Sequence, residues 1–152
     1  MTNRIDSRKV APAGMHALFG VHTYLHQNTD LPKQLIDLVF LRTSQINGCA
    51  HCVDMHSRDL LKEGMSIEKL VLVPTWREAE DLFDDLEQAA LAWTETVTNV
   101  STTHVPDEDY EKALAAMPEK LLVDLTITVG LMSAYNRLGV AFRLPPAARH
   151  AA

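Results

Sequence analysis

The chain has 152 residues, 47% of them apolar, and a formal net charge of −6. One domain is the simplest count for that length, and the apolar share is ample for a packed core. The acidic balance argues against nucleic acid or an anionic membrane as the main partner, and no run approaches the roughly 18–20 apolar residues of a membrane span.

Residues 1–13 read as a flexible N-terminal arm. The arm has basic residues but no continuous apolar stretch of the secretory type, so no signal is expected and a cytoplasmic location follows. Residues 16–27 form the first helical segment, with Leu18, Val21 and Leu25 at helical spacing. Pro32 opens a second helix that runs to Ile46. A third helix spans about residues 49–63, closed by Gly64 as its C-cap. Ser66 caps a short fourth helix that stops near Pro74, and residues 76–81 read as a polar connection. Asp84 with Glu87 three residues on forms a capping box for a helix through Val97. A short helix covers residues 107–116. Pro118 opens the last helix, roughly to Phe142. Residues 144–152, with two prolines and four alanines, read as a frayed tail.

No strand-period alternation competes with these segments. The expected fold is all-α, a compact bundle of about six to seven helices in a single domain over residues 14–143. The last helix is apolar on most faces (Leu121, Leu122, Val123, Leu125, Ile127, Val129, Leu131, Met132), and such a helix is buried on most faces. A neighbouring subunit is its expected cover, because large exposed apolar patches are rare on soluble monomers. The alternative is a central core helix of a monomer.

The run Gly48-Cys49-Ala50-His51-Cys52-Val53-Asp54-Met55-His56 carries the chemistry. It holds both cysteines of the chain, at C-x-x-C spacing, with a histidine four residues after the second. At roughly 100° per residue, Cys49, Cys52 and His56 fall within an arc of roughly 60° on one helix face. Val53 and Leu60 flank that arc, so the thiols face the interior, and His51 points to the far side. Cys49 sits at the helix N-terminus, where free N–H groups and the dipole favour a thiolate. His56 lies one turn beyond Cys52 and can exchange a proton with it. A thiolate, a partner thiol and a proton shuttle are the minimum parts for thiol–disulfide or thiol–peroxide chemistry. Zinc on Cys49, Cys52 and His56 would need a fourth ligand, and no second C-x-x-C supplies one. His22 and His26, at i,i+4, could share a metal but have no acidic or thiol partner beside them. No metal site and no cofactor are assigned.

These residues resemble the alkyl hydroperoxidase D (AhpD)-like branch of the carboxymuconolactone decarboxylase superfamily. The branch pattern E-x11-C-x-x-C-x3-H fits Cys49, Cys52 and His56, with Asp37 at the position of the acid. The stretches Leu41-Arg42-Thr43-Ser44-Gln45-Ile46-Asn47-Gly48, Leu91-Ala92-Trp93-Thr94-Glu95 and Tyr135-Asn136-Arg137-Leu138 are similar too, so the resemblance covers roughly residues 15–143. It implies a peroxidase with Cys52 as the attacking thiol and Cys49 as the resolving one. It also implies a lipoyl-bearing protein as the dithiol reductant and a closed homo-oligomer, a trimer or a hexamer. The helix-end argument, in contrast, favours Cys49 as the more acidic thiol. The family's acid is Glu, and Asp37 is one methylene shorter. In its apolar run, Leu35-Ile36-Asp37-Leu38-Val39-Phe40-Leu41, it is desolvated, which suits a carboxyl to proton relay; it could instead be a structural aspartate.

The expected function is therefore a thiol-dependent peroxidase acting on a hydroperoxide, with Cys52, Cys49, His56 and Asp37 as its catalytic residues. Two alternatives stand beside it. One is a non-enzymatic helical module using the cysteines as a redox sensor or zinc clip. The other is the superfamily's lactone decarboxylase chemistry, which does not need a C-x-x-C.

Overall fold

A computed structural model describes residues 3–146 and 148 of the chain. These residues form nine α-helices joined by short loops and two 3-10 turns, with no strand among them. The helices are α1 (Ser7–Val10), α2 (Pro12–Gln27), α3 (Lys33–Ile46), α4 (Ala50–Lys62), α5 (Ile67–Leu72), α6 (Asp85–Thr98), α7 (Val100–Thr103), α8 (Asp107–Ala116) and α9 (Glu119–Phe142).

The core is built on α3 and α9, which pack on each other, while α4 and α6 each pack on both. Every residue of α3 from Leu35 to Leu41 is buried, Asp37 included. A helix enclosed on all sides needs apolar residues at nearly every position, which that run supplies. α9 contributes Leu122, Leu125, Val129, Leu131 and Met132 to the same core and leaves Val123, Ile127 and Val140 exposed.

Local signals set the helix ends. Asp84 and Glu87 form the expected reciprocal capping box, with N···O distances of 2.8 and 2.9 Å. Ser66 caps α5 by accepting the Lys69 N–H at 3.2 Å. Caps of this kind stabilise by about 1 kcal/mol each.

Three segments differ from the sequence expectation. α2 starts at Pro12, a turn earlier than residue 16, because proline fits the first helical turn. Ahead of it, Asp6 caps the short α1, and the Arg4 N–H donates to Phe142 O at 2.9 Å, so this part of the arm docks on the end of α9. The connection over residues 76–81 is two 3-10 turns, and it is not wholly polar: Trp76 is buried and its indole N–H donates to Glu95 at 3.0 Å. Past α9, residues 144–146 lie half-buried. Pro145 O meets His51 Nδ1 at 2.7 Å, and the Ala148 N–H donates to Asp54 at 3.0 Å. Residues 147 and 149–152 of the expected tail lie outside the described residues.

Candidate active site

The turn from α3 into α4 places the first cysteine. Gly48 takes φ +69°, a left-handed conformation that glycine adopts without steric cost. Cys49 then becomes the N-cap of α4, and its N–H donates to Ser44 O at 3.0 Å. Cys52 follows in the first turn. Both are free thiols, 1% and 3% exposed, with Sγ atoms 2.7 Å apart.

α9 closes over the sulfurs. Asn136, 1% exposed, donates from Nδ2 to Ser44 Oγ at 2.9 Å and accepts from Asn47 Nδ2 at 3.0 Å. Gly139, one turn on, takes part by having no side chain: a Cβ there would lie 2.9 Å from Cys49 Sγ and 3.9 Å from Cys52 Sγ. The first distance is too short for a carbon–sulfur contact, so a small residue is required for α9 to pack this closely.

The two thiols are electrostatically unlike. A hydrogen bond from the Cys52 thiol brings Cys49 down from 9.0 to about 6, against burial that pushes it up. The Cys52 backbone N–H, the nearby His51 and the Asn136 side chain act in the same downward direction. Cys52 is pushed well up, first because its proton is held by Cys49, then by burial and by the negative charge of Cys49; Asn136 and Ser44 oppose this. Of the two thiols, Cys49 is thus the one favoured as thiolate and Cys52 the one held protonated.

The second half of the site is a buried acid–imidazole pair. His56 and Asp37, 4% and 5% exposed, meet through His56 Nδ1 and Asp37 Oδ1 at 3.0 Å. A carboxylate can only accept, so Nδ1 carries the proton and Nε2 is left as the basic nitrogen. Nε2 is buried and has no hydrogen-bond partner among the described residues. The Phe40 ring packs on the imidazole at a centroid distance of 5.0 Å. Lys33 Nζ stands 3.6 Å from the other Asp37 oxygen and also pairs with Glu63. The shorter acid therefore reaches its histidine directly.

The structure brings the four expected residues into two contacting pairs, Cys49 with Cys52 and Asp37 with His56, and His56 lies one helical turn from Cys52. Sequence reasoning missed the roles of Asn136, Ser44 and Gly139. An amide in a helix expected to be buried all round was the available signal, since a buried amide needs partners. His51 is half-buried and engaged by Pro145 O, where an outward-facing side chain was expected. His22 and His26 are half-buried, 4.3 Å apart between ring centroids, and both pack on Phe40.

Among the described residues, one group of three possible ligand atoms lies within 4.8 Å: Asp37, His56 and Asp59. Lys33 and Lys62 stand 3.6 and 2.9 Å from its two carboxylates and already offset their charge. The cysteines are not part of that group. A cleft of about 380 Å³, lined by Asn47, Asn136, Arg137, Val140 and Ala141, adjoins the thiols through Asn136. A larger one, about 440 Å³, lies against α6 and α8 and contains neither cysteine nor histidine. None of the helices is long and apolar enough to cross a membrane among the described residues.

Residues 12–96 match the model of the carboxymuconolactone decarboxylase family. The chain is 31% identical over 141 residues to the uncharacterized protein YdfG of Bacillus subtilis, covering 93% of this chain and 95% of that one. It superposes with a TM-score of 0.90 on the crystal structure of an Agrobacterium tumefaciens protein of unknown function linked to AhpD antioxidant defence. That pair is 33% identical, over 95% of this chain and 98% of that one. The debrominase Bmp8 has the same fold at a TM-score of 0.81 but is only 19% identical, over 95% of this chain and 77% of that one.

Proposed function

This chain belongs to the carboxymuconolactone decarboxylase family and is AhpD-like within it, and we propose on that basis that it is a thiol-dependent hydroperoxide reductase. The observation that carries the reading is the Asp37–His56 pair. It presents a bare imidazole nitrogen one turn from Cys52, whose sulfur lies 2.7 Å from a second thiol. Acid and imidazole are in contact, and in this reading the free Nε2, which makes no direct hydrogen bond to the thiol, takes the Cys52 proton through a bridging water.

In the proposed cycle the Cys52 sulfur attacks the terminal oxygen of the hydroperoxide as His56 takes its proton. The O–O bond breaks, the alkoxide collects that proton and leaves as an alcohol, and Cys52 becomes a sulfenic acid. Cys49, at about 6 largely a thiolate at neutral pH, attacks the Cys52 sulfur. Hydroxide leaves, is protonated to water, and a disulfide remains. Asp37 holds the imidazole in the working tautomer and stabilises its cationic form. An external dithiol then reduces the disulfide and is itself oxidised; the family resemblance points to a lipoyl-bearing protein in that role, and a reducing cytoplasm suits the dithiol resting state. The depressed Cys49 fits a resolving thiolate, which reconciles the helix-end argument with the attacking role of Cys52. A homo-oligomer, trimeric or hexameric, is part of the same reading, with Val123 and Ile127 of α9 under a neighbouring subunit.

The test is steady-state turnover of hydrogen peroxide and an organic hydroperoxide with dihydrolipoamide as donor. Cys52→Ser should abolish it, while Cys49→Ser should consume one equivalent and stall as a sulfenic or overoxidised species. Turnover surviving in both variants sinks the mechanism. The depressed Cys49 thiol beside a partner thiol also fits a second reading, a redox sensor. It would form the intrachain disulfide, seen as the loss of two hydrogens from one peptide, without sustained turnover.

A further inference from the structure

Resting on the hydroperoxide reading, we propose that the cleft beside Asn136 selects organic hydroperoxides that carry a carboxylate, with Arg137 as the residue that recognises the anion. The cleft's volume, about 380 Å³, is in the range of small-ligand sites. A water takes about 30 Å³ of liquid volume and hydrogen peroxide adds only one oxygen to it, so the cleft is far larger than hydrogen peroxide needs. Its lining sorts into three kinds of surface. The amide of Asn136 is the lining group that reaches the thiols, and Asn47 donates to it. Val140 and Ala141 offer an apolar wall. Among the described residues Arg137 is the one charged lining residue, and no carboxylate lines the cleft.

The charge of Arg137 is not offset by an ion pair among the described residues; its Nη1 donates to Ser133 O at 2.9 Å, and the other guanidinium N–H groups can serve a ligand. Arg4 is a second guanidinium on the same rim. Its Nη1 donates to the carbonyl of Ala141, a lining residue, at 3.1 Å, and it too makes no ion pair among the described residues. The last carbonyls of α9 carry the negative end of the helix dipole, and the Arg4 contact offsets part of it. In a chain of net charge −6, two guanidiniums with no ion pair among the described residues, Arg137 foremost, form a local attractor for an anion beside the thiol site. Guanidinium and carboxylate match in geometry and can pair bidentately. A cleft that combines amide, apolar and guanidinium surfaces fits a molecule that carries a peroxide, a short apolar body and a carboxylate.

The test compares 4-hydroperoxy-4-methylpentanoic acid with its methyl ester. In the wild-type protein at low salt the acid should have the higher kcat/KM, by about fivefold or more, the scale of a partly exposed bidentate ion pair. The difference should lie in KM and shrink as salt is added. Arg137→Ala should bring the acid-to-ester ratio close to one, and Arg137→Lys should retain part of it. Equal rates for acid and ester in the wild type overturn the proposal, as does a ratio that Arg137→Ala leaves unchanged. A changed oligomeric mass for Arg137→Ala overturns it too, by marking a subunit contact instead. If neither peroxide turns over, the peroxidase reading fails, and hexanoate as a binding probe decides this one separately. Arg137-dependent NMR shifts at Val140 and Ala141 would sustain the anion cleft, and their absence would end it.

Discussion

Two carboxylates in this fold sit in enclosed surroundings and do different things. Glu95, on α6, accepts from Arg42 at 2.8 and 2.7 Å and from the Trp76 indole at 3.0 Å, and pairs with Arg77 as well. Asp37, on α3, is bonded to His56, with Lys33 more distant at 3.6 Å. Burial pushes the Glu95 carboxyl up, but Arg77, Arg42 and Trp76 together hold it below its usual range. None of those three partners can release a proton near neutral pH, so Glu95 is fixed in one state and acts as a tie between α3, α6 and the 3-10 turns. The partner of Asp37 is an imidazole, the side chain suited to passing protons on. Burial is common to both; the chemistry of the partner sets the acid proposed to work in catalysis apart from the structural one.

That contrast can be broken by experiment, beginning with the largest effect. His56→Ala should slow peroxide turnover by about 10²–10⁴-fold, the usual loss for a general base, and Asp37→Asn should slow it as well, with the melting temperature little changed in the latter. If Asp37→Asn unfolds the protein and spares the chemistry, the two acids are of one kind. Glu95→Ala should do the reverse. It leaves Arg42 and the Trp76 indole without their acceptor, so urea unfolding should show a loss of about 3 kcal/mol, the low end for breaking a buried ion pair, while turnover per folded molecule is kept. Because the Glu95 carboxyl is held low, its stabilisation is full above the ordinary carboxylate value of 4.5 and is lost as pH falls through the depressed one. Glu95→Gln should therefore flatten the acid limb of the stability profile.

Smaller effects sharpen the picture around the thiols. Gly139→Ala should cost about 1–3 kcal/mol through overpacking against Cys49, and Cys49→Ala in the same chain should recover part of it. A cost equal in both backgrounds would mean that the crowding is not at the sulfur. Thiolate absorbance at 240 nm in the reduced protein should rise with a midpoint near the Cys49 value of about 6 and vanish in Cys49→Ser. Asp37→Glu, which restores the acid of the AhpD-like pattern, should change turnover least, keeping or raising it. An inactive Asp37→Glu would show a pocket built around the shorter side chain.

The sequence was explicit about whatever depends on near neighbours. Helix ends at Ser66, Asp84 and Pro118, the all-apolar run of α3 and the C-x-x-C at the start of α4 are local patterns, and each was read correctly from propensity and spacing. Asp37 could be linked to the Cys49–His56 segment only through the resemblance, because no period joins them. Asn136 and Gly139 were illegible for the same reason: their partners lie in α3 and α4, and nothing within α9 marks a residue chosen for what crosses it. Trp76 was read as part of a polar connection because its neighbours are charged. Its burial comes from Glu95, which is distant in sequence and needs the indole N–H. The arm was judged by the lack of apolar residues, while what docks it is hydrogen bonding from Arg4 to the end of α9.

The place of α9 over the thiols has a consequence for the chain during its own synthesis. Ser44 and Asn136, whose side chains meet beside the sulfurs, are 92 positions apart. At translation rates of about 5–20 residues per second, roughly 5–18 s pass between the emergence of the first and of the second. Throughout that interval α3 and α4 are available to pair, but the helix that shields Cys49 and Cys52 has yet to be made. The nascent chain therefore exposes its two thiols to cellular oxidants before they can work as a site, and vectorial synthesis makes their protection one of the last steps of folding.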